Sequence, residues 1–286
     1  MDWTDRRRRF RAVLSGSRCI HPGSVYDPLS VRIAEDLGFE IGMFAGSTAS
    51  LTVLGAPDLI VLTLTEFAQQ CYRICRAGNL PLLVDADHGY GNALSVKRTV
   101  EELETAGVAG LTIEDTVLPA PFAATKAQFT SIDEGVGKMR AALAGRQDPS
   151  LAVIGRTGAI AVTGLDDTIA RVTAYADTGV DGIFLVGVRS REQLDAIAAA
   201  VKIPLILGSA PPELQDLGYL AASGVRICLQ GHLPIMAAVR AVHDTLKALR
   251  DGTAPASIGG VASDELMKQV TRDASYKRWS REFLGT

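Results

Sequence analysis

Leu82-Leu83-Val84-Asp85-Ala86-Asp87-His88-Gly89-Tyr90-Gly91-Asn92 runs from an apolar stretch straight into two carboxylates and then into a glycine-rich turn. A short apolar run bounded by turn residues has the signature of a buried strand. On an extended backbone, residues two apart project to the same side, so Asp85 and Asp87 are expected to share a face. Two converging carboxylates repel each other unless a cation or a proton lies between them. Hard oxygen donors of this kind suit Mg²⁺ or Mn²⁺. The pattern recurs along the chain. Leu111-Thr112-Ile113-Glu114-Asp115 also ends in acids, and Val153-Ile154-Gly155-Arg156 ends in a cation. Three apolar runs with charged ends point to one polar site on the rim of a barrel.

Working outward from these runs, the candidate strands are Arg18–Ile20, Ile41–Ala45, Leu82–Asp85, Gly110–Glu114, Leu151–Arg156, Gly182–Val186, Pro204–Leu207 and Val225–Leu229. Helical periodicity fills the gaps, over Pro28–Leu37, Thr65–Arg76, Ala93–Ala106, Ile132–Ala144, Leu165–Asp177, Arg191–Val201, Pro212–Ala222 and Leu233–Leu249. Strands that alternate with helices imply a parallel sheet. Eight such units predict an α/β fold of the (β/α)₈ TIM-barrel type. Gly38, Gly107, Gly179 and Gly224 each follow a helical stretch, at the C′ position where a positive φ is wanted.

Two segments depart from this grammar. Residues 116–131 form a long loop after the fourth strand, and a loop of that length in a compact domain is commonly a lid. Residues 251–261 are rich in Gly, Ala and Pro, and Ser263–Phe283 then looks helical. The chain is therefore expected to be a single domain over residues 1–286. Residues 1–250 would form the barrel with an N-terminal helix, and 251–286 a linker and helical tail. Trp279 and Phe283, spaced i, i+4, need a partner surface. Sequence leaves open whether that surface is a neighbouring subunit or the chain's own barrel.

Of the 286 residues, 47% are hydrophobic and 21% charged, with a formal net charge of −3. A substantial core is affordable at this length, and no overall basic excess calls for nucleic acid. The basic run Arg6 to Arg9 plus Arg11 surrounds an apolar face of Trp3, Phe10, Val13 and Leu14, and reads as a solvated amphipathic helix. It lacks the apolar core of a signal peptide, and no apolar run reaches membrane-spanning length. A soluble, cytoplasmic protein without membrane partners is expected. Cys19, Cys71, Cys75 and Cys228 form no C-x-x-C pair, which argues against a zinc or redox site.

Active sites of such barrels lie at the C-terminal ends of the strands. The candidates there are Ser47, Asp85, Asp87, Glu114, Asp115, Arg156 and His232, with Asp58 reaching in from a loop. Mg²⁺ keeps most of its waters and takes one or two direct carboxylates. Asp85, the deepest, is assigned as the direct ligand; Asp58, Asp87 and Glu114 would hold metal-bound waters. Asp115 is better explained as a helix cap or the partner of a nearby arginine. Arg156 is suited to gripping a carboxylate bidentately, which predicts an anionic substrate, although an internal ion pair to Glu114 or Asp115 is the competing role. Ser47, in Ala45-Gly46-Ser47-Thr48, could offer donors to the same anion. Among four histidines, only His232, opening the loop after the eighth strand, sits where a barrel would face it toward the acids.

These residues together resemble the phosphoenolpyruvate mutase/isocitrate lyase superfamily over nearly the whole chain. The matching pieces are Pro22-Gly23, Asp27, Ser30, Glu35, Gly38-Phe39, Ala45-Gly46-Ser47, Pro57-Asp58, the run Asp85 to Asn92, Ile113-Glu114-Asp115 and Gly155-Arg156-Thr157. The resemblance implies an (α/β)₈ barrel, a Mg²⁺ site for which Mn²⁺ could substitute, and an enolate-like intermediate. It also implies a homotetramer, a dimer of dimers with C-terminal helices swapped between subunits. Lyases of this superfamily carry Lys-Lys-Cys-Gly-His in the lid, whereas this chain has Ala123-Ala124-Thr125-Lys126-Ala127-Gln128 and no cysteine between Cys75 and Cys228. The mutase and phosphonopyruvate-hydrolase branches carry a lid asparagine that residues 116–131 lack. With Gln230-Gly231-His232, the lid is most similar to the oxaloacetate decarboxylase branch. That branch implies substrate-binding roles for Ser47, Arg156 and His232, a metal role for Asp85, and catalytic roles for His232 and Arg156. The rival expectations are a C–C lyase acting on a methylisocitrate- or substituted malate-type substrate, and a non-catalytic keto-acid-binding barrel.

Overall fold

The structure, a computed structural model, describes residues 3–285. They fall into two compact units, residues 1–231 and 232–286. In the first unit, eight parallel strands form one sheet in sequence order. These are β1 (Gly23–Ser24), β2 (Gly42–Phe44), β3 (Leu82–Asp85), β4 (Gly110–Glu114), β5 (Ala152–Thr157), β6 (Gly182–Leu185), β7 (Leu205–Leu207) and β8 (Val225–Cys228). The helices of this unit are α1 (Trp3–Ser15), α2 (Pro28–Asp36), α3 (Gly46–Ala49), α4 (Leu64–Cys75), α5 (Ala93–Thr105), α6 (Ile132–Gly145), α7 (Leu165–Ala176), α8 (Arg191–Ala200) and α9 (Leu217–Ala222).

The sheet curls as in (β/α)₈ barrels. β8 lies beside the chain just ahead of β1: Ile20 N–H donates to the Arg226 carbonyl at 3.0 Å, and Cys228 N–H donates to the Ile20 carbonyl at 2.9 Å. The expected first strand, Arg18–Ile20, is thereby corrected. Ile20 contributes one isolated bridge to Ile227, and the regular strand starts only at Gly23. Pro22 has no N–H to give to a ladder, so pairing breaks there and resumes beyond it. The predicted helix Pro212–Ala222 is likewise split. A 3₁₀ turn, Pro212–Leu214, precedes α9, whose N-terminus is capped by Asp216 accepting from Gly218 and Tyr219 N–H at 2.8 and 3.1 Å.

Alternation along the strands separates two cores. Met43, Leu83, Ile154, Phe184, Ile206 and Ile227 face one another together with Phe10 and Leu14 of α1. Phe44, Leu82, Val84, Leu111, Val153 and Leu205 point the other way, into the helical layer. α1 therefore plugs one end of the sheet's interior; Arg8 and Arg9 are exposed as expected of a solvated face, but not every arginine of the run is. Arg6 and Arg7 are buried. Arg6 Nη1 donates to the carbonyl of Cys75, at the end of α4. Arg7 donates to the carbonyls of Val108 and Glu104 at 3.0 and 2.5 Å and to Asp148 at 2.8 Å. Arg11 Nε and Nη2 donate to the carbonyls of Ser150 and Leu151, both at 2.9 Å. Guanidinium groups here satisfy carbonyls left over at helix ends and loops, where a cation also complements the helix dipole. All four cysteines are free and buried.

The second unit holds α10 (Leu233–Arg250), α11 (Asp264–Thr271) and α12 (Asp273–Leu284). The tail, which looked continuously helical over Ser263–Phe283, breaks at Arg272, whose φ of 62° is left-handed. Along α10, Leu233, Met236, Val239, Val242, Leu246 and Leu249 recur every three or four residues and are all exposed. Trp279 and Phe283 of α12 are exposed as well. No helix among the described residues is long and apolar enough to cross a membrane.

Candidate functional site

The ends of β3, β4 and β5 bring Asp85, Glu114 and Arg156 together. In register, Glu114 pairs with Arg156 across β4 and β5. Arg156 Nη1 donates to Asp85 Oδ2, and its Nε lies 3.4 Å from Glu114 Oε2 without making a hydrogen bond to any group. Asp85 Oδ1 accepts from the Thr112 hydroxyl at 2.9 Å and from Asp87 N–H at 3.2 Å. Glu114 Oε2 accepts from the Thr116 hydroxyl at 3.0 Å. The guanidinium of Arg156 also stands 5.3 Å over the Phe184 ring. Of the internal ion pairs anticipated for Arg156, the one to Glu114 exists and the one to Asp115 does not, while its nearest partner, Asp85, was not anticipated.

Asp87 reaches the site by a different route from the one expected. β3 ends at Asp85, and Asp87 has a φ of 49°, so strand alternation does not place it. A left-handed turn does, one that aspartate tolerates better than bulkier residues. Its carboxylate lies against the start of α3. A Cβ added at Gly46 would be 2.3 Å from Asp87 Oδ2, so any larger residue there would force the carboxylate to shift. Burial, then the charges of Asp85 and Glu114, push the Asp87 carboxyl well above the usual carboxylate range; Asp58 adds to this, while Arg156 opposes it. Burial also raises Glu114, against the pull of Arg156 and with Asp85 adding to the rise. Burial works against the charge of Arg156, but Asp85 and Glu114 outweigh it and hold the guanidinium protonated.

The remaining candidates are placed as follows. Ser47 is half-buried in α3, one residue after Gly46. Asp58 lies in an exposed loop, close enough for its charge to act on Asp87. Asp115 is fully buried and turned away from Arg156: it accepts from Arg171 at 3.1 Å and from the Tyr175 hydroxyl at 2.6 Å. His232 belongs to the second unit, as the residue immediately before α10. Sequence missed Gly46, Thr112 and Thr116. Gly46 had a usable signal, a glycine directly after an apolar run; the two threonines, ordinary strand residues, had none.

The residues present fit a divalent cation. Four acids, Asp58, Asp85, Asp87 and Glu114, act electrostatically together with a single guanidinium, a local formal charge of −4 + 1 = −3. Like-charged carboxylates in a buried setting call for a cation or a proton between them. Among the described residues no three acidic, histidine or cysteine side chains already converge into a ligand cage.

A parallel, eight-stranded α/β fold with an acid-rich, arginine-pinned site at its strand ends defines the class. Within it, a family model described as phosphoenolpyruvate phosphomutase matches residues 10–250, and the chain belongs to that family. It is 61% identical over 284 residues, 99% of each chain, to an oxaloacetate decarboxylase from Bradyrhizobium sp. strain BTAi1. Among solved structures, oxaloacetate acetylhydrolase in complex with the product oxalate matches with a TM-score of 0.84 at 30% identity, covering 98% of this chain and 99% of that one. Phosphonopyruvate hydrolase in complex with oxalate and Mg²⁺ matches with a TM-score of 0.85 at 27% identity, covering 98% and 99%.

Proposed function

We propose that this protein decarboxylates oxaloacetate to pyruvate and CO₂ through the pyruvate enolate, with Mg²⁺ as cofactor and Mn²⁺ as a substitute. The observation that carries the proposal is full-length similarity, at 61% identity, to a protein named oxaloacetate decarboxylase. The cluster of Asp85, Asp87, Glu114 and Arg156 supplies chemistry that suits it. Asp85 would be the direct ligand of the cation, and Asp58, Asp87 and Glu114 would hold it through its waters. When bound, the cation supplies Lewis-acid polarisation of the substrate's C1 carboxylate and C2 carbonyl.

The chain's own residues do the rest. Arg156, with an Nε that makes no hydrogen bond, and Ser47 hold the C1 carboxylate. The C3–C4 bond breaks, CO₂ leaves, and the electron pair passes into the enolate. His232 is assigned to deliver a proton to C3 or to orient the departing carboxylate; imidazole titrates in a range suited to proton transfer. No covalent nucleophile is needed. A lid without a thiol, Ala123 to Gln128, supports decarboxylation over the C–C lyase reaction on a methylisocitrate-type substrate.

The exposed stripe on α10 and the exposed Trp279 and Phe283 support a homotetramer of swapped C-terminal helices, in which one barrel domain per chain carries the tail as an appendage. A cytoplasmic location, without membrane or nucleic-acid partners, accompanies this assignment. The direct test mixes protein, oxaloacetate and Mg²⁺ and follows pyruvate with a coupled dehydrogenase. Turnover no faster than with Mg²⁺ alone overturns the proposal. Deuterium exchange into the pyruvate methyl group separates a catalyst from a mere keto-acid binder, which would show none.

A further inference from the structure

Arg171 lies outside the acid cluster, yet it joins three structures that meet beside it. On α7, its guanidinium is buried. Nη1 donates to Asp115 at 3.1 Å and to the Thr130 carbonyl at 2.9 Å, Nε donates to Asp167 at 2.8 Å, and the group stands 5.5 Å over the Phe129 ring. Asp115 closes β4, whereas Phe129 and Thr130 end the 116–131 loop. The two legs of that loop are also paired. Thr116 bridges Phe129 in antiparallel fashion, Val117 N–H donates to the Gln128 carbonyl at 2.8 Å, and Thr130 N–H donates to the Asp115 carbonyl at 2.9 Å. The outgoing leg begins with Thr116, whose hydroxyl donates to Glu114. Beyond this neck the loop is largely exposed, with Phe122 and Lys126 open to solvent.

We propose that Arg171 is a positioning residue that pins the neck of the 116–131 lid to the end of β4. It thereby fixes Thr116 against Glu114. The planar, five-donor guanidinium can serve a carboxylate, a carbonyl and an aromatic face at once, which an ammonium cannot. Asp115, with no solvent exposure, needs that cation; Arg171 and the Tyr175 hydroxyl both donate to its Oδ2, while its buried Oδ1 makes no hydrogen bond. The bearing of this clamp on turnover rests on the decarboxylase assignment; the clamp itself does not.

The experiment is limited trypsinolysis of the full-length protein, scoring the fragments from cleavage after Lys126. Arg171→Met removes the clamp. Phe129→Ala removes only the ring beneath the guanidinium and leaves the Arg171–Asp115 pair, so it remains informative if Arg171→Met does not fold. Val172→Ala, a buried core truncation on the same helix, controls for general destabilisation. Opening that is fast relative to cleavage makes the rate report the open population, so cleavage after Lys126 should rise about fivefold or more in the clamp variants and stay near the parent rate in the control. The oxaloacetate KM should rise in Phe129→Ala, and Arg171→Lys should recover only part of the Arg171→Met loss. A Lys126 cleavage rate unchanged in Phe129→Ala, or raised equally in Val172→Ala, overturns the proposal. Faster cleavage in the clamp variants of a protein that proves unable to decarboxylate oxaloacetate leaves the clamp standing and removes the functional assignment alone.

Discussion

Gly46→Ala is the sharpest probe of the acid cluster. The added Cβ would lie 2.3 Å from Asp87 Oδ2, 2.7 Å from Oδ1 and 2.8 Å from Cγ. Ordinary contact begins near 3.4 Å, so the carboxylate must withdraw by 3.4 − 2.3 = 1.1 Å. Asp87 has little freedom to do so, since its own N–H is tied to Asp85 and its φ of 49° already uses a sparsely allowed region. Overpacking of this kind costs about 1–3 kcal/mol. Against it, alanine is favoured over glycine within a helix by up to about 1 kcal/mol. The melting temperature should therefore fall only slightly. Activity should fall far more, because a misplacement of about 1 Å at a reacting centre costs about 100-fold, equivalent to about 2.7 kcal/mol of barrier. The assay is the coupled pyruvate measurement together with Mg²⁺ titration by calorimetry. Mg²⁺ binding should weaken, and adding Gly46→Ala to an Asp87→Ala protein should change little further, since the clashing partner is gone. Activity within threefold of the parent in Gly46→Ala, or an undiminished effect in the Asp87→Ala background, refutes the reasoning.

Other expectations follow from neighbouring features. Arg156→Met strands Asp85 and Glu114 as buried, uncompensated acids and should lower stability by about 3–5 kcal/mol in chemical denaturation, with added Mg²⁺ restoring part of it. Asp148 is pushed up by burial, but hydrogen bonds from Ser150, Arg7 and Thr4 outweigh this and hold its carboxyl below the usual range. Such a depressed value gives stability that is present above the ordinary carboxylate value of 3.8 and is lost as the pH falls below it. Asp148→Asn should therefore cost about 1–3 kcal/mol at pH 7, and urea titrations should show the gap from the parent closing on acidification below pH ~4. Val239→Asp with Val242→Asp places charge on the exposed apolar stripe of α10 and should reduce the assembly in sedimentation velocity; an unchanged species excludes that face from the interface.

The fold was legible because buried parallel strands are short, apolar and punctuated. Seven of the eight candidate strands, Ile41–Ala45 onward, lie within one residue at each end of the observed ones. The exception, Arg18–Ile20, failed through the missing donor of Pro22. Asp85, Glu114 and Arg156 were legible because each stands at or next to the end of a strand, which the barrel pattern puts at the rim. Asp87 was named for the wrong reason: its position depends on a left-handed turn and on the space left by Gly46, a contact between segments some forty residues apart. The burial of Arg6 and Arg7 was hidden for the same kind of cause. An arginine on an amphipathic helix reads as solvated unless the orphan carbonyls that will receive it are known, and those of Cys75, Glu104 and Val108 exist only once the sheet has closed. Asp115 did give a usable signal, an acid next to Glu114 at a strand end, which called for a cation without saying that Arg171 on α7 would be the one.

The plug formed by α1 has a consequence for the order of events in synthesis. α1 is synthesised ahead of every strand, yet it is among the last elements that can be seated. Arg6 waits for Cys75, Arg7 for Val108 and Asp148, and Arg11 for Asp181, which its Nη1 meets at 2.9 Å. Until β8 has been made, Phe10 and Leu14 have no completed interior to enter. Contacts of such sequence separation slow folding. Until these partners have been made, the nascent chain must carry an apolar, arginine-rich helix unburied, a natural point for chaperone engagement and for aggregation if synthesis stalls.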